Sequence, residues 1–132
     1  MPGYAVALRN ERMDRITNTS GALSLVTIYA GTRPATGGTS TVVLASFQMS
    51  STFAQPATSA ILLVNSTSPA VWTTTAVFSS TATWARHQTS SGTFIADYSV
   101  SPAAAEFILN TTVLTSGVTV TITSAKITEG NP

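Results

Sequence analysis

The chain predicts a mainly β protein, a jelly-roll-like antiparallel β-sandwich with one short N-terminal helix. Three observations predict it. Val, Ile, Thr and aromatic residues dominate, and branching at Cβ favours pleated surfaces over helices. Roughly seven to nine short apolar runs succeed one another at spacings near ten residues, each bounded by Gly, Pro, Asn or Ser. One run, Val118-Thr119-Val120-Thr121-Ile122-Thr123, alternates strictly, so one of its faces is buried and the other is wet or half-covered. The 132 residues suit a single domain spanning 1–132. At that length about two thirds of the unfolded surface can be buried without disulfides.

Residues 5–17 form the one helical candidate, a helix or arm. On a helical wheel Ala5, Val6, Met13 and Ile16 gather on one side, though Arg9 intrudes. Glu11 and Arg15 stand i, i+4 with the acid first, the favourable order for an ion pair. Asn18, Ser20 and Gly21 then end the helix. Strands are predicted at 23–30, 41–49, 60–64, 71–78 and 81–88. Ser91-Gly92 turns the chain into 94–100, Pro102 breaks that strand, and 106–109 continues the sheet. Ser116-Gly117 opens the alternating strand.

Composition excludes several classes of function. Without cysteine there is no disulfide framework, no Cys-based zinc site and no thiol nucleophile. Only 8% of residues are charged and the net charge is +1, so no global field favours nucleic acid or an anionic membrane. Ser and Thr supply 41 of the 132 residues. A chain this close to neutrality has little protection against association, which hints at life in an assembly. The N-terminus has no secretory-signal pattern, and the longest strongly apolar run, Ala60–Val64, falls far short of a membrane span. The chain is expected to be soluble and made in the cytoplasm.

Catalytic groups are sparse. His87 is the only histidine, and its bland reading is a surface or turn-proximal side chain. Asp97 and abundant serines complete a triad inventory, but no Gly-x-Ser-x-Gly elbow is present. A carboxylate pair for glycoside hydrolysis would have to come from Glu11, Asp14, Asp97, Glu106 and Glu129. Asp97 and Glu106 could meet across neighbouring strands, but they read first as structural hydrogen-bonding groups or as solvent-exposed ones. Metal ligation is thin, and neither an enzymatic activity nor a cofactor is expected.

The loop Gly31-Thr32-Arg33-Pro34-Ala35-Thr36-Gly37-Gly38 lacks the lysine and the following helix of a phosphate-binding loop. It reads as a strand exit and protein-contact loop. Gly31 supplies the turn, Pro34 fixes φ at the second bend, and Arg33 is left exposed or pairs with another subunit. Sequons at Asn18, Asn65 and Asn110 are products of Ser/Thr richness. Trp72 and Trp84 fit a sugar-binding face less well than a core or an interface.

Read in order, several segments resemble a known family. They are "AVALRNERMDRIT", "IYAGTRPA", "VVLASFQM" with "STFAQPA", "STATWARHQTSSGTFIADYSV" and "EFILNTTVLTSGVTVTITSAKIT". Together they cover about Val6 to Thr128 and resemble small β-rich structural proteins of tailed-bacteriophage virions, of the capsid cement or decoration type. The most specific pieces are Gly31–Ala35, Ala82-Thr83-Trp84 with Arg86, and Leu109-Asn110-Thr111-Thr112. The chain departs from the family's "SDGT" turn, reading "HQTSSGT", which weakens any cation at that turn.

The resemblance implies a passive function on the outer surface of the capsid, in a protein made in the bacterial host cytoplasm. A dimer or trimer of this chain would sit across junctions of the major capsid protein. Many weak contacts would resist the pressure of packaged DNA, with no nucleic-acid or membrane partner. The candidate partner-binding residues are Arg9, Arg12 and Arg15 on the helix, with Arg33 and Pro34 in the loop. A tail or fibre role and a carbohydrate-binding module using Trp72 or Trp84 are the alternatives.

Overall fold

The computed structural model describes residues 3–49, 51–64 and 73–128. One helix, α1 (Val6–Ser20), precedes nine strands: β1 (Leu25–Ala30), β2 (Val42–Gln48), β3 (Ile61–Leu63), β4 (Thr73–Thr75), β5 (Ser80–Gln88), β6 (Phe94–Ser101), β7 (Phe107–Leu109), β8 (Val113–Leu114) and β9 (Thr119–Thr128). They form a curled mixed sheet in the order β2-β1-β5-β6-β7-β9-β3, with β4 also on β9 and β8 on β5. The curl brings the two ends together, for Val77 N donates to Leu44 O across the gap at 2.8 Å.

The expectation of a purely antiparallel sheet is corrected by one pair. β6 and β7 run parallel, with Val100 opposite Phe107 and Ser101 opposite Ile108. Ser101 Oγ accepts from the amides of Ala103 and Ala104 and starts a short loop at Pro102. That loop carries the chain back to β6 in the same direction, where a two-residue hairpin would have reversed it.

β1 and β5 lie inside the sheet and are covered on both faces. Val26 and Ile28 share one face with Ala85 and His87, opposite them in register, and Thr27 and Tyr29 share the other with Arg86 and Trp84. Phe47, Phe53, Leu62, Phe107, Leu109, Val120 and Ile122 complete the main core, each at most 1% exposed.

β9 begins after Gly117, whose φ of 89° suits only glycine, and extends beyond the predicted 118–123. Its alternation slips once. Val120 and Ile122 point inward, then Ala125 and Ile127 do. The register against β7 shifts at the same place, leaving Thr123 unpaired, and its hydroxyl donates to Ile108 O at 3.2 Å. β8 is an addition to the sequence reading. The predicted strand 71–78 shrinks to β4, and its residues Val71 and Trp72 lie outside the described residues.

The helix runs three residues past its predicted end. Ser20 is buried and its Oγ donates to Thr17 O at 2.8 Å, which keeps the last turn wound, and Gly21 ends it at φ 64°. Only Met13 and Ile16 of the predicted apolar side face the core, while Ala5 and Val6 project into solvent. Glu11 and Arg15 form no ion pair among the described residues.

α1 is fixed by hydrogen bonds from its polar flank as well as by burial. Asp14 Oδ1 accepts from Ala57 N at 2.6 Å, and Asn10 Oδ1 accepts from Ala60 N at 2.8 Å. The turn they hold contains Ser59 and Ala60 at φ 51° and 58°, the left-handed region that non-glycine residues avoid. Asn10→Ala or Asp14→Ala leaves a buried amide without its acceptor. Each is expected to lower stability by about 1–3 kcal/mol in urea unfolding.

Candidate functional site

The outer face of β1, β5 and β6 carries one continuous polar and aromatic stack. The Tyr29 ring lies on Trp84, centroids 4.3 Å apart and planes 13° from parallel. The Arg86 guanidinium follows, 5.2 Å from the Trp84 ring and 5.1 Å from the Phe94 ring. Register sets Arg86 directly opposite Asp97, and the two form a bidentate pair, Nε to Oδ1 at 2.7 Å and Nη2 to Oδ2 at 3.0 Å. Hydrogen bonds to Asp97 hold the guanidinium charged, above its ordinary range.

The 31–38 loop closes over this stack. Gly37 N donates to Asp97 Oδ2 at 3.4 Å. A Cβ on Gly37 would stand 3.6 Å from the Phe94 ring, and at φ 74° the position favours glycine. Gly38 N donates to Ala35 O at 2.7 Å, and a Cβ there would approach that same oxygen to 2.9 Å. Trp84 Nε1 donates to Thr41 Oγ1 at 2.9 Å, and the hydroxyls of Thr41 and Thr83 donate to the carbonyls of Ala30 and Gly31. The strand exit is therefore tied down from both sides.

The predicted contact residues separate into two groups. Arg12 and Arg15 come together with Ile16, Thr19, Phe94 and Ile95 around a shallow groove of about 260 Å³ between α1 and β6. The Arg12 guanidinium lies 5.0 Å from the centre of the Tyr4 ring. Arg33 is exposed on the loop whose Gly37 lies against the Phe94 ring, and Pro34 is half-buried. Arg9 is half-buried on α1 and does not line the groove. Phe94 and Ile95 were missed by sequence reasoning, because nothing in a strand-start dipeptide signals that a helix passes beside it.

The reading of one residue, His87, changes. His87 is fully buried, not at the surface. Its ring stacks on Phe53 at 4.0 Å and Nε2 lies 2.9 Å from Ser24 Oγ, while Nδ1 has no partner among the described residues. Asp97 belongs to the opposite face, bound to Arg86, so the sequence's triad inventory is not assembled: Ser24 and His87 meet without it and without access to solvent. Trp84 is 1% exposed and offers no face to a sugar, and Trp72 lies outside the described residues. Asp97 and Glu106 are structural, as expected, with Glu106 accepting from the Ser99 hydroxyl.

The Asn110 sequon side chain accepts from Thr121 N at 3.1 Å, and Asn65 and Glu129 lie outside the described residues. Among the described residues no group of three or more His, Asp or Glu is placed to hold a metal, and no helix is long and apolar enough to cross a membrane.

No family model, curated protein or solved structure matches the chain.

Two outcomes follow from the buried groups. Asp97→Ala leaves Arg86 charged without its partner and is expected to destabilise by about 3–5 kcal/mol in urea unfolding. Arg86→Met combined with Asp97→Ala is expected to recover much of that loss. Burial lowers the His87 imidazole to about 4, below the 6.5 of an exposed ring, so the unfolded chain binds the proton first. The full stability is present above pH 6.5, falls as pH drops from 6.5 towards 4, and is lower by roughly 3 kcal/mol below that range. As His87 is the sole histidine, an NMR titration of its ring reads the folded value directly, and a midpoint near 4 is expected.

Proposed function

We propose that this chain is a structural protein of a tailed-bacteriophage virion, a capsid cement or decoration protein, with its curled sheet arranged as a jelly-roll-like β-sandwich. The observation that carries the reading is the cationic end of a nearly neutral molecule. Arg12 and Arg15 line one groove with Phe94, and the loop bearing Arg33 rests on the same ring. The sequence order from Val6 to Thr128 resembles that virion family, and a chain with 8% charged residues suits a molecule that works by burial against neighbours.

In this reading a dimer or trimer bridges major capsid subunits through the α1–β6 end and the 31–38 loop. Each contact is weak, and the sum over many copies stiffens the shell. The loop suits the task because its backbone is already fixed by Asp97, Thr41 and Thr83, so little ordering entropy is lost on docking.

Arg12, Arg15 and Arg33 are outside the core, so reversing them to Glu is expected to leave the fold intact while abolishing co-sedimentation with capsids. Immunogold electron microscopy of purified particles locates the protein. Label over the head is the expected result, label confined to the tail moves the function to a tail or fibre component, and absence of label removes the virion reading.

A further inference from the structure

We propose that two copies of the chain pair about a two-fold axis through the end of the sheet opposite α1, where β2, β5 and β9 begin. Such a pair would serve as the dimer of the cement-protein reading, but it rests on the surface alone and not on where the protein resides.

Register separates the two ends of the sheet. β5 starts beside the last residue of β1 and the first of β2, since Ala30 lies opposite both Ala82 and Val42. It finishes at Gln88, opposite Phe94, where α1 passes. At the first end Val77 N donates to Leu44 O at 2.8 Å, Ala76 N to Val118 O at 2.9 Å, and Gly117 N to Ala76 O at 2.8 Å. Ser116 N donates to Ser79 Oγ at 2.8 Å, and Ser80 and Thr81 pair with Leu114 and Val113. Segments 42–44, 76–81 and 113–118 are thus tied into one hydrogen-bonded end.

That end is apolar and open. Six of the eleven exposed large apolar side chains among the described residues gather in its segments. They are Val42, Val43, Val77, Phe78, Val113 and Val118, and they are 41–70% exposed. Together they offer on the order of 500 Å², a size at which an exposed apolar patch marks an interaction surface. Two such faces bury about 1,000 Å², the least that a specific interface needs.

The chemistry of the end selects a second copy as its occupant. No charged residue lies in the three segments. A two-fold axis brings a surface against itself, so charges near it meet their like, and this end carries none to repel. The polar groups beside the apolar ones are hydroxyls, exposed at Ser79, Ser80, Thr81, Thr115 and Ser116. A hydroxyl both donates and accepts, so it can bond its own equivalent, which an ammonium or a carboxylate cannot. The backbone of the end is already held by its hydrogen bonds, so little ordering entropy is lost on pairing. Arg12 and Arg15 stand at the far end of the sheet and stay outside such a pair.

Sedimentation equilibrium of the purified full-length protein, from micromolar to near-millimolar concentration, tests this. The mass is expected to rise from monomer to dimer and stop there. Phe78→Glu sets like charges face to face and is expected to weaken pairing about tenfold or more, and Val77→Ser to weaken it less. Pairing without charge is expected to persist as sodium chloride rises, and Arg12→Glu/Arg15→Glu to leave it unchanged. The chain has no cysteine, so a nitroxide label on Val113→Cys reports position cleanly. A dipolar coupling between the two labels of a pair is expected, and its loss with Phe78→Glu. All these side chains are exposed, so the thermal midpoint of each variant at dilution, where the monomer prevails, should match that of the parent protein.

A monomer at every concentration, a trimer, or pairing that Phe78→Glu leaves intact overturns the proposal. So does pairing that high salt or Arg12→Glu/Arg15→Glu abolishes, which moves the contact to the α1 end. A monomer that binds neutral phosphatidylcholine vesicles through Phe78 overturns it too and makes the end a lipid-binding face. A dimer that immunogold labelling does not find on particles keeps the interface and removes the virion role. Label on the head with a monomer at every concentration does the reverse.

Discussion

The buried pair of Arg86 and Asp97 is the interaction on which the outer face of the sheet depends. A guanidinium taken out of water is costly, and it is tolerated here because a carboxylate and two aromatic rings pack against it. Asp97 takes its edge, and the rings of Trp84 and Phe94 take its faces. Asp97 in turn reaches the backbone of Gly37, so one carboxylate joins two central strands to the loop that covers them. The stack continues through Trp84 to Tyr29 and ends on the hydroxyls that hold the strand exit. An all-apolar layer would pack as densely, but it would not fix the direction of the loop. Paired charge fixes register as well as position, because Arg86 finds Asp97 only when β5 and β6 are aligned as they are.

The opposite face is built differently. There the core is apolar apart from the Tyr98 hydroxyl and the pair of His87 and Ser24, which hydrogen-bond to one another beside Phe53. Burial keeps the imidazole neutral, so the same strand carries a permanent charge on one face and an uncharged titratable ring on the other. α1 closes the end of this core with few apolar residues, chiefly Met13 and Ile16. Its remaining hold is polar, through Asn10 and Asp14. The other flank of the helix carries Arg12 and Arg15 beside the half-buried Phe94.

A low content of charge makes each charged residue informative. Arg86 makes a bidentate ion pair inside the fold, while Arg12 and Arg15 line one groove with Phe94. Hydroxyl groups do the work that charges do elsewhere. Thr41, Thr83, Ser99 and Ser101 each tie a loop or a neighbouring strand to a carbonyl, carboxylate or amide. These bonds are short-ranged and indifferent to salt, which suits a fold that keeps its shape when its surface is buried against neighbours.

The sequence by itself determined the local elements. Period-two patterning and β-branched residues placed eight of the nine strands among the described residues, because side-chain alternation is a property of the strand alone. The helix, the turn at Gly31 and the structural use of Asp97 and Glu106 were legible for similar reasons. Tertiary structure decided the rest. The parallel step from β6 to β7 depends on where the chain returns, and no residue pattern encodes a direction. The slip in β9 depends on a bulge opposite β7. His87 looked like a surface residue because the alternation of β5 reads the same whether one face or both are covered, and only the neighbours of a strand settle that. The groove depends on α1 crossing β6 beside Phe94 and Ile95, a contact between residues some eighty positions apart in the chain, and packing alone brings them together.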